Sequence, residues 1–241
     1  MAKILKPYTL LTGLYDNLME YVDYKGWSEY LLDIIEDFEI DNESALELAA
    51  GNCKLYKFLK NAFDLHIVSD LSLPLLKEFT DDSDNVVCID MRNIPLKKKF
   101  DFIYCTFDSI NYLLTEEDLY KTFKSVHDLL EEDGIFTFDA SLENNSLNNV
   151  GELNREGTYK DYKYIQISRY DREAKLHTNE FIITGNGEKF VELHEQRVFD
   201  FVDYFRILED AGLRVIECFE TFTFDDATPE TERAQFIVEK C

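Results

Sequence analysis

The segment from Ala45 to Leu55 constrains the fold of this chain more than any other. Its sequence, ALELAAGNCKL, is typical of a buried strand that ends in a tight turn and leads into a helix. Glu47 lies inside this strand, and Asp70 ends the next apolar run about 20 residues further on. This is the layout of a nucleotide-binding β-α-β unit, in which a turn passes beneath the ligand and a carboxylate further along the chain binds the ribose. The sequence therefore predicts a nucleotide site at this turn.

Length and charge limit the kinds of protein that can carry this site. The 241 residues, 45% of them hydrophobic, suit one α/β domain with a sizeable insertion. The net charge of −24 disfavours a nucleic acid or an anionic membrane surface as a partner. The cysteines form no C-x-x-C pair, which disfavours a disulfide framework or a zinc site and fits a reducing compartment. We therefore expect a cytoplasmic, metal-independent protein that is a monomer or a homodimer.

Strands and helices alternate from Ser44 to Ala140, which predicts a parallel, doubly wound sheet with helices on both faces. A helical leader from Leu14 to Phe38 precedes this region, and Gly26 is the predicted break between its two helices. The predicted strands are 44–49, 65–69, 85–89, 100–107 and 135–140, and the predicted helices are 54–63, 73–79 and 116–130.

The pattern changes after Ala140. Residues 143–157 are polar and rich in asparagine, which indicates a loop. Segments 159–170, 175–184 and 189–199 are rich in β-forming residues, and Gly185-Asn186-Gly187 predicts a hairpin turn. A helix at 200–211 and strands at 214–223 and 233–240 complete the chain. We therefore expect one α/β domain, residues 1–142 and 198–241, with an antiparallel insertion, residues 143–197, that caps the substrate side.

Five segments resemble, in order and spacing, those of class I S-adenosylmethionine-dependent methyltransferases. They are LELAAG at 46–51, VSDLS at 68–72, IDMRNIPL at 89–96, FDFIYC at 100–105, and LL with DGIFTFD within 129–139. In the leader, YD at 15–16 and YKGW at 24–27 resemble the small-molecule branch that includes glycine N-methyltransferase, and HEQR at 194–197 resembles many uncharacterised bacterial members. The resemblance implies an α/β fold with a seven-stranded, mostly parallel Rossmann-like sheet. It also implies methyl transfer from S-adenosylmethionine to a small-molecule acceptor.

The resemblance assigns roles in cofactor binding to residues of these segments. Glu47 would organise the turn and the amino end of the cofactor, and Asp70 would accept hydrogen bonds from the ribose hydroxyls. Aromatic faces on the leader would attract the sulfonium. The full set of expected cofactor contacts is Tyr15, Trp27, Glu47, Ala49, Gly51, Asp70, Leu71, Asp90, Met91 and Cys105.

Residues after the fourth strand and before the last helix are the candidates for the acceptor side, because ligands bind at the carboxyl ends of strands in doubly wound sheets. Asp108 or His194 would remove a proton from the acceptor. Asn111 and Tyr112 would contact the acceptor, and Arg197 would bind a carboxylate.

A second interpretation is a catalytically silent binding or regulatory protein with the same fold. Ala49 and Cys53 stand where the family usually has glycine, whose missing side chain lets the backbone approach the cofactor. If the side chain of Cys53 fills the methionine slot, the silent interpretation gains; if it packs against the helix, the enzyme interpretation gains. An RNA methyltransferase is disfavoured by the strong negative charge and the lack of a basic stripe.

Overall fold

The computed structural model describes residues 2–10, 18–77 and 85–241. Its strands are β1 Lys3–Leu5, β2 Ser44–Leu48, β3 Leu65–Asp70, β4 Val86–Cys88, β5 Phe100–Cys105, β6 Leu130–Ser141, β7 Arg155–Tyr159, β8 Tyr162–Asp171, β9 Leu176–Gly185, β10 Glu188–Arg197, β11 Leu213–Glu220 and β12 Arg233–Lys240. Its helices are α1 Tyr24–Asp37, α2 Tyr56–Leu59, α3 Leu73–Leu76, α4 Glu116–Leu129, α5 Glu143–Asn149 and α6 Phe201–Asp210, with a 3₁₀ helix at Ser109–Tyr112.

A seven-stranded sheet forms the centre of the molecule, with strand order β11-β12-β6-β5-β2-β3-β4. Strands β2 to β6 pair in parallel, and β12 is antiparallel to both of its neighbours. The order reverses between β2 and β5, and such a reversal opens a crevice at the carboxyl ends of the strands. The predicted doubly wound α/β fold is confirmed, and the crevice is where the turn after β2 lies.

A second sheet has five strands in the order β1-β10-β9-β8-β7, and four of them, β7 to β10, lie in the chain between β6 and α6. Strands β7 to β10 are antiparallel, as predicted, and consecutive strands pair through tight turns. The sequence analysis missed β1, which pairs in parallel with β10 across most of the chain length. This strand has three residues, and such a short apolar run carries no periodic signal of its own.

Three local predictions differ from the structure. Gly26 does not break a helix: it lies in the first turn of α1, where its backbone N–H donates to the Asp23 side chain at 2.9 Å and so caps the helix. The predicted helix 54–63 is helical only over Tyr56–Leu59, because the preceding turn extends further than expected. The predicted loop 143–157 contains α5 and the start of β7; in α5, Asn149 Nδ2 donates to the Asn145 backbone carbonyl at 3.0 Å.

Aromatic side chains fill the core on one face of the central sheet. Phe138 stacks on Phe236 with ring centroids 4.8 Å apart, and Phe123, Phe136 and Tyr204 surround this pair at no more than 6.2 Å from a neighbouring ring. All five side chains are buried. Each contributes roughly 1.5–3 kcal/mol by leaving water, so this cluster fixes the strands that end at the crevice. Among the described residues, no helix is long and apolar enough to span a bilayer.

Replacing Phe138 by alanine is expected to lower the free energy of unfolding by about 3–5 kcal/mol, because the cavity it leaves removes contacts with four rings. Urea unfolding followed by circular dichroism measures this loss. Phe58→Ala is the matched control, since Phe58 is 52% exposed, and it should cost less than about 1 kcal/mol. Equal losses in the two variants would contradict the assignment of Phe138 to the core.

Candidate active site

A cavity of about 750 Å³ lies between the crevice of the central sheet, the start of α1 and one face of the second sheet. Its floor is formed by the turn after β2 and the segment after β5. Trp27, Tyr24 and Phe107 form an aromatic wall, with the rings of Trp27 and Phe107 4.8 Å apart. The opposite wall, on the second sheet, is mostly polar: besides Phe181, its side chains are Arg155, Gln166, His177, Asn179, His194 and Gln196. The volume suits one small molecule or a cofactor with part of its acceptor.

The turn after β2 has an unusual backbone. The φ angles of Ala49, Gly51 and Cys53 are +54°, +59° and +56°, so every second residue is left-handed. Left-handed backbone costs a residue with a side chain roughly 1–2 kcal/mol. Ala49 and Cys53 therefore adopt the conformation for which glycine is the usual choice. Successive backbone N–H groups in such a turn make a concave, anion-attracting surface.

The direction of the Cys53 side chain decides whether the turn is blocked. Cys53 is fully buried and packs with Tyr56, Val68 and Leu76 behind the turn. It does not line the cavity, whereas its neighbours Ala49, Ala50 and Asn52 do. The thiol therefore leaves the cavity side of the turn free, which favours a functional site over a silent one.

Asp70 ends β3 and holds this turn. Its carboxylate accepts hydrogen bonds from the backbone N–H of Gly51 at 2.8 Å and of Ser72 at 2.6 Å. Burial raises the pKa of Asp70, and these two N–H donors oppose that rise. An ionised carboxylate has about four acceptor positions, so these two donors leave two of them unused. The Asp70 side chain is buried and is not among those that line the cavity. Leu71, the next residue in the chain, is 65% exposed.

Asp90 is engaged differently from the expectation. Arg92 donates to it through Nε at 2.9 Å and Nη2 at 2.6 Å, and this guanidinium holds the pKa of Asp90 below its usual range. A ligand amine at Asp90 would therefore share the carboxylate with Arg92. Met91 is half-buried against the core.

Glu47 lies beneath the turn rather than facing the cavity. It is 1% exposed, and the Tyr104 hydroxyl donates to its Oε2 at 3.0 Å. The same hydroxyl lies 2.9 Å from Nε2 of His66, so the three side chains form one buried chain. Burial raises the pKa of Glu47 to about 8 and lowers the pKa of His66 to about 4. Reasoning from the sequence missed Tyr104 and His66; the signal was that an acid inside an apolar strand needs a partner.

Trp27 and Cys105 are the two remaining expected cofactor contacts within the described residues, and only Trp27 reaches the cavity. Trp27 lines it and also packs against Phe222, with ring centroids 4.5 Å apart. The Cys105 side chain is instead fully buried in the core of the central sheet, because the end of β5 is covered on both faces. Tyr15 lies outside the described residues.

Asp108 reaches the cavity but is already paired. Its carboxylate accepts from the Ser141 hydroxyl at 2.7 Å and lies 3.4 Å from Nη2 of Arg233. Arg233 also forms an ion pair with Asp139, whose pKa burial raises to about 6. These partners hold the Asp108 carboxylate in place. Phe107 and Asp108 both have positive φ, 61° and 48°, so the segment makes a sharp turn into the 3₁₀ helix.

Asn111 lines the cavity although its amide is hydrogen-bonded inside the protein, and Arg197 is placed differently from the expectation. The Asn111 amide is fully buried and bridges Ser141 and the Arg197 backbone carbonyl, so it joins the central sheet to the end of β10. The Arg197 side chain donates to the Ala174 carbonyl and lies over the Phe199 ring, outside the cavity. Side chains alternate between the two faces of a strand, and the residues of β10 that face the cavity are His194 and Gln196.

Tyr112 and His194 do meet at the cavity. The Tyr112 hydroxyl lies 3.2 Å from Nδ1 of His194 and 2.8 Å from the Tyr8 hydroxyl. On the other side of the imidazole, Nε2 lies 3.6 Å from Oε2 of Glu192, which is fully buried. The result is a row of hydroxyl, imidazole and carboxylate. The sequence analysis missed Tyr8 and Glu192, since neither stands in a recognisable motif.

Known proteins resemble this chain in sequence and in fold. Residues 46–138 match the family profile of the methyltransferase domain. The methyltransferase-family protein YqeM of Bacillus subtilis (strain 168) is 27% identical over 97% of both chains. A crystal structure of an S-adenosylmethionine-dependent methyltransferase from Clostridium acetobutylicum ATCC 824 covers 97% of this chain and 98% of its own, with a TM-score of 0.80 and 26% identity. These similarities together support a class I S-adenosylmethionine-dependent methyltransferase, as predicted.

A more distant structure shares the fold of this methyltransferase. The sugar N-methyltransferase KedS8 from Streptoalloteichus is 17% identical, with a TM-score of 0.72 over 94% of this chain and 93% of its own. S-adenosylmethionine is the cofactor of the enzyme, as predicted. The finer resemblance to glycine N-methyltransferase, in contrast, is not confirmed by these relatives.

The buried Glu47 should give the methyltransferase a stability that depends on pH. Because folding raises the pKa of Glu47 from 4.5 to about 8, its contribution to stability is full below 4.5 and is lost as the pH rises towards 8. The unfolding free energy of the wild type, relative to Glu47→Gln, should fall across this window by up to about 1.4 kcal/mol per pH unit. Urea unfolding at several pH values measures it. Glu43→Gln, at an exposed position before the same strand, should show the same dependence of the unfolding free energy on pH as the wild type. If Glu47→Gln also showed that dependence, the raised pKa of Glu47 would be contradicted.

The left-handed conformation of Ala49 predicts a stabilising substitution. Ala49→Gly should raise the free energy of unfolding by up to about 1 kcal/mol, because relief of roughly 1–2 kcal/mol of backbone strain exceeds the entropy cost of glycine. Ala50→Gly is the matched control, since Ala50 is not among the residues with positive φ, and it should lower stability by about 0.5–1 kcal/mol. Thermal unfolding compares the two. Similar losses in both variants would show that the turn is not strained at Ala49.

Proposed function

We propose that the enzyme transfers the methyl group to a small-molecule nucleophile that enters the cavity between the two sheets. The observation that carries this proposal is the cavity itself, which is enclosed by the cofactor turn on one side and by a polar sheet face on the other. The structural relatives support it as well. Among proteins of the same fold are the sugar N-methyltransferase KedS8 and the amino pentose methyltransferase CalS10.

The residues at the turn fit the cofactor. The cavity face of the turn carries only the methyl groups of Ala49 and Ala50 and the Asn52 side chain, since Cys53 is turned away. Asp70 offers its remaining acceptor positions to the ribose hydroxyls. When bound, S-adenosylmethionine supplies a methyl group on a positively charged sulfur. The faces of Trp27 and Phe107 provide the aromatic surface that attracts such a cation.

The proton of the acceptor leaves through Tyr112 and His194 in this proposal. We assign Nδ1 of His194 as the acceptor of the Tyr112 hydroxyl, so that Nε2 carries the hydrogen. Nε2 faces the Glu192 carboxylate at 3.6 Å, which is too long for a hydrogen bond but favours the charged imidazolium. The Tyr112 oxygen can then receive a proton from an acceptor N–H or O–H while its own proton passes to Nδ1. Asp108 is the weaker candidate for the base, because Arg233 and Ser141 already occupy its carboxylate.

The protein's main task is alignment. Holding the nucleophile in line with the methyl group can lower the barrier by roughly 7–11 kcal/mol. The cavity walls belong to different parts of the chain, and Asn111 ties them together through its bonds to Ser141 and to the end of β10. Asn111 therefore serves as a positioning residue rather than as a direct contact to the acceptor.

Cofactor binding can be tested through the single tryptophan of the chain, because Trp27 lines the cavity. Addition of S-adenosylmethionine or S-adenosylhomocysteine should change its fluorescence in a saturable way, and calorimetry should give the same affinity. Asp70→Asn should weaken binding at least tenfold, about 1.4 kcal/mol, because a charged acceptor for the ribose is lost.

Asp64→Asn is the matched control, since Asp64 is exposed and precedes the other end of the same strand. It removes the same charge and should bind like the wild type. Thermal unfolding of Asp70→Asn separates lost binding from a loosened turn. If the wild type gives neither heat nor a fluorescence change at millimolar cofactor, the silent binding protein becomes the better interpretation.

A further inference from the structure

We propose that the acceptor carries an anionic group, a carboxylate or a phosphate, and that Arg155 on the second sheet binds it. This inference rests on the proposed function, because it concerns the acceptor half of the same cavity. Arg155 begins β7, the strand at the far edge of the second sheet from β10 and His194. No motif in the sequence pointed to this residue.

Arg155 contacts an aromatic ring rather than a carboxylate: its guanidinium carbon lies 5.8 Å from the centroid of the Tyr21 ring, and Glu152 lines the same cavity without forming an ion pair with it. The chain has 49 acidic and 25 basic residues, so a cation here has many possible partners. Arg233, the other arginine of the cavity, is paired with both Asp108 and Asp139. Within the part of the chain that the structure describes, no carboxylate forms an ion pair with Arg155. A positive charge left unpaired in the cavity of a strongly acidic protein favours an anionic ligand.

The hydrogen bonds around Arg155 leave donors, and not acceptors, for a ligand. Arg155 Nε donates to Oε1 of Gln166 at 2.8 Å, and Gln166 Nε2 donates to Oδ1 of Asn179 at 3.0 Å. Both amide oxygens are therefore used inside the protein. The groups that remain are the two Nη atoms of Arg155 and Nδ2 of Asn179, for which the described residues supply no hydrogen-bond acceptor. All three side chains line the cavity, and Gln166 is 4% exposed, so this row is fixed in place.

The register of the second sheet places this donor group away from the proton acceptor. Arg155 pairs with Gln166, and Asn179 pairs with both Ser168 and His194. Three strand spacings separate β7 from β10, which is about 14 Å between their backbones. The anionic group of the acceptor binds at Arg155 while its nucleophile lies near Tyr112.

Two simple anions test this inference without knowledge of the acceptor. Inorganic phosphate and sodium acetate are titrated into the ¹⁵N-labelled protein at constant ionic strength, with sodium chloride as the neutral reference. The Nε–H resonance of Arg155 is assigned by its loss in Arg155→Lys. It should shift in a saturable way with phosphate, with acetate or with both, and the anion that binds more tightly gives the chemistry of the group.

Variants separate the site from general charge effects. Arg155→Gln should weaken anion binding at least tenfold, read as the loss of the thermal stabilisation that the anion gives the wild type. Arg169→Gln, an exposed arginine of the same sheet, should bind like the wild type. If Arg155→Gln does not fold, Arg155→Lys provides the comparison, since it keeps the charge but not the fork.

The Nε–H resonance of the exposed Arg169 should shift linearly with anion concentration. The inference is overturned if the Arg155 resonance also shifts linearly, without saturation, in both titrations. Cofactor binding is read independently from Trp27 fluorescence and should be within twofold of the wild type in Arg155→Gln. Failure of the wild type to bind the cofactor would refute the proposed function, whereas failure to bind either anion refutes only the anionic acceptor.

Discussion

The site is organised around the carboxylate of Asp70, which binds the backbone of Gly51 and so fixes the turn after β2. A carboxylate is buried at the end of a strand only where N–H groups compensate for its lost hydration, and the turn supplies one of them. Strand β3 and the turn therefore hold each other in position. The part of the cavity floor that the turn supplies, Ala49, Ala50 and Asn52, depends on this contact.

Strain is concentrated where the backbone meets the cavity. Ala49, Cys53, Phe107 and Asp108 all have positive φ, and all four lie just after a strand of the central sheet ends. Such conformations persist only where the surrounding structure holds them, and the packed core beneath provides that support. In this methyltransferase the strained turn also explains how the glycine pattern of the family is relaxed. The backbone keeps the shape that glycine would allow, and the extra side chain at 53 is placed in the core.

The two walls of the cavity differ in chemistry, and the difference suggests how one molecule is aligned between them. The wall built from α1 and the segment after β5 is aromatic, which suits a cation. The wall built from the second sheet is a row of hydrogen-bonding groups that ends in Arg155, which suits a polar acceptor with a negative charge. Arg233 is paired with Asp108 and Asp139, whereas Arg155 forms no ion pair within the described residues and keeps both Nη atoms for a ligand.

The sequence by itself determined the alternation of strands and helices, the turn after β2 and the acid at the end of β3, because these depend on local periodicity and on residues close together in the chain. It therefore predicted the fold, which the structure confirms, whereas the cofactor contacts expected at Trp27, Gly51 and Asp70 stay predictions. Only the tertiary structure decided the acceptor side. His194 and Arg197 lie on opposite faces of β10, so that His194 lines the cavity and Arg197 does not. Contacts between residues far apart in the chain place Tyr8 beside Tyr112 and Tyr104 beside Glu47. Such pairings depend on register and packing between distant segments, and no local pattern records them.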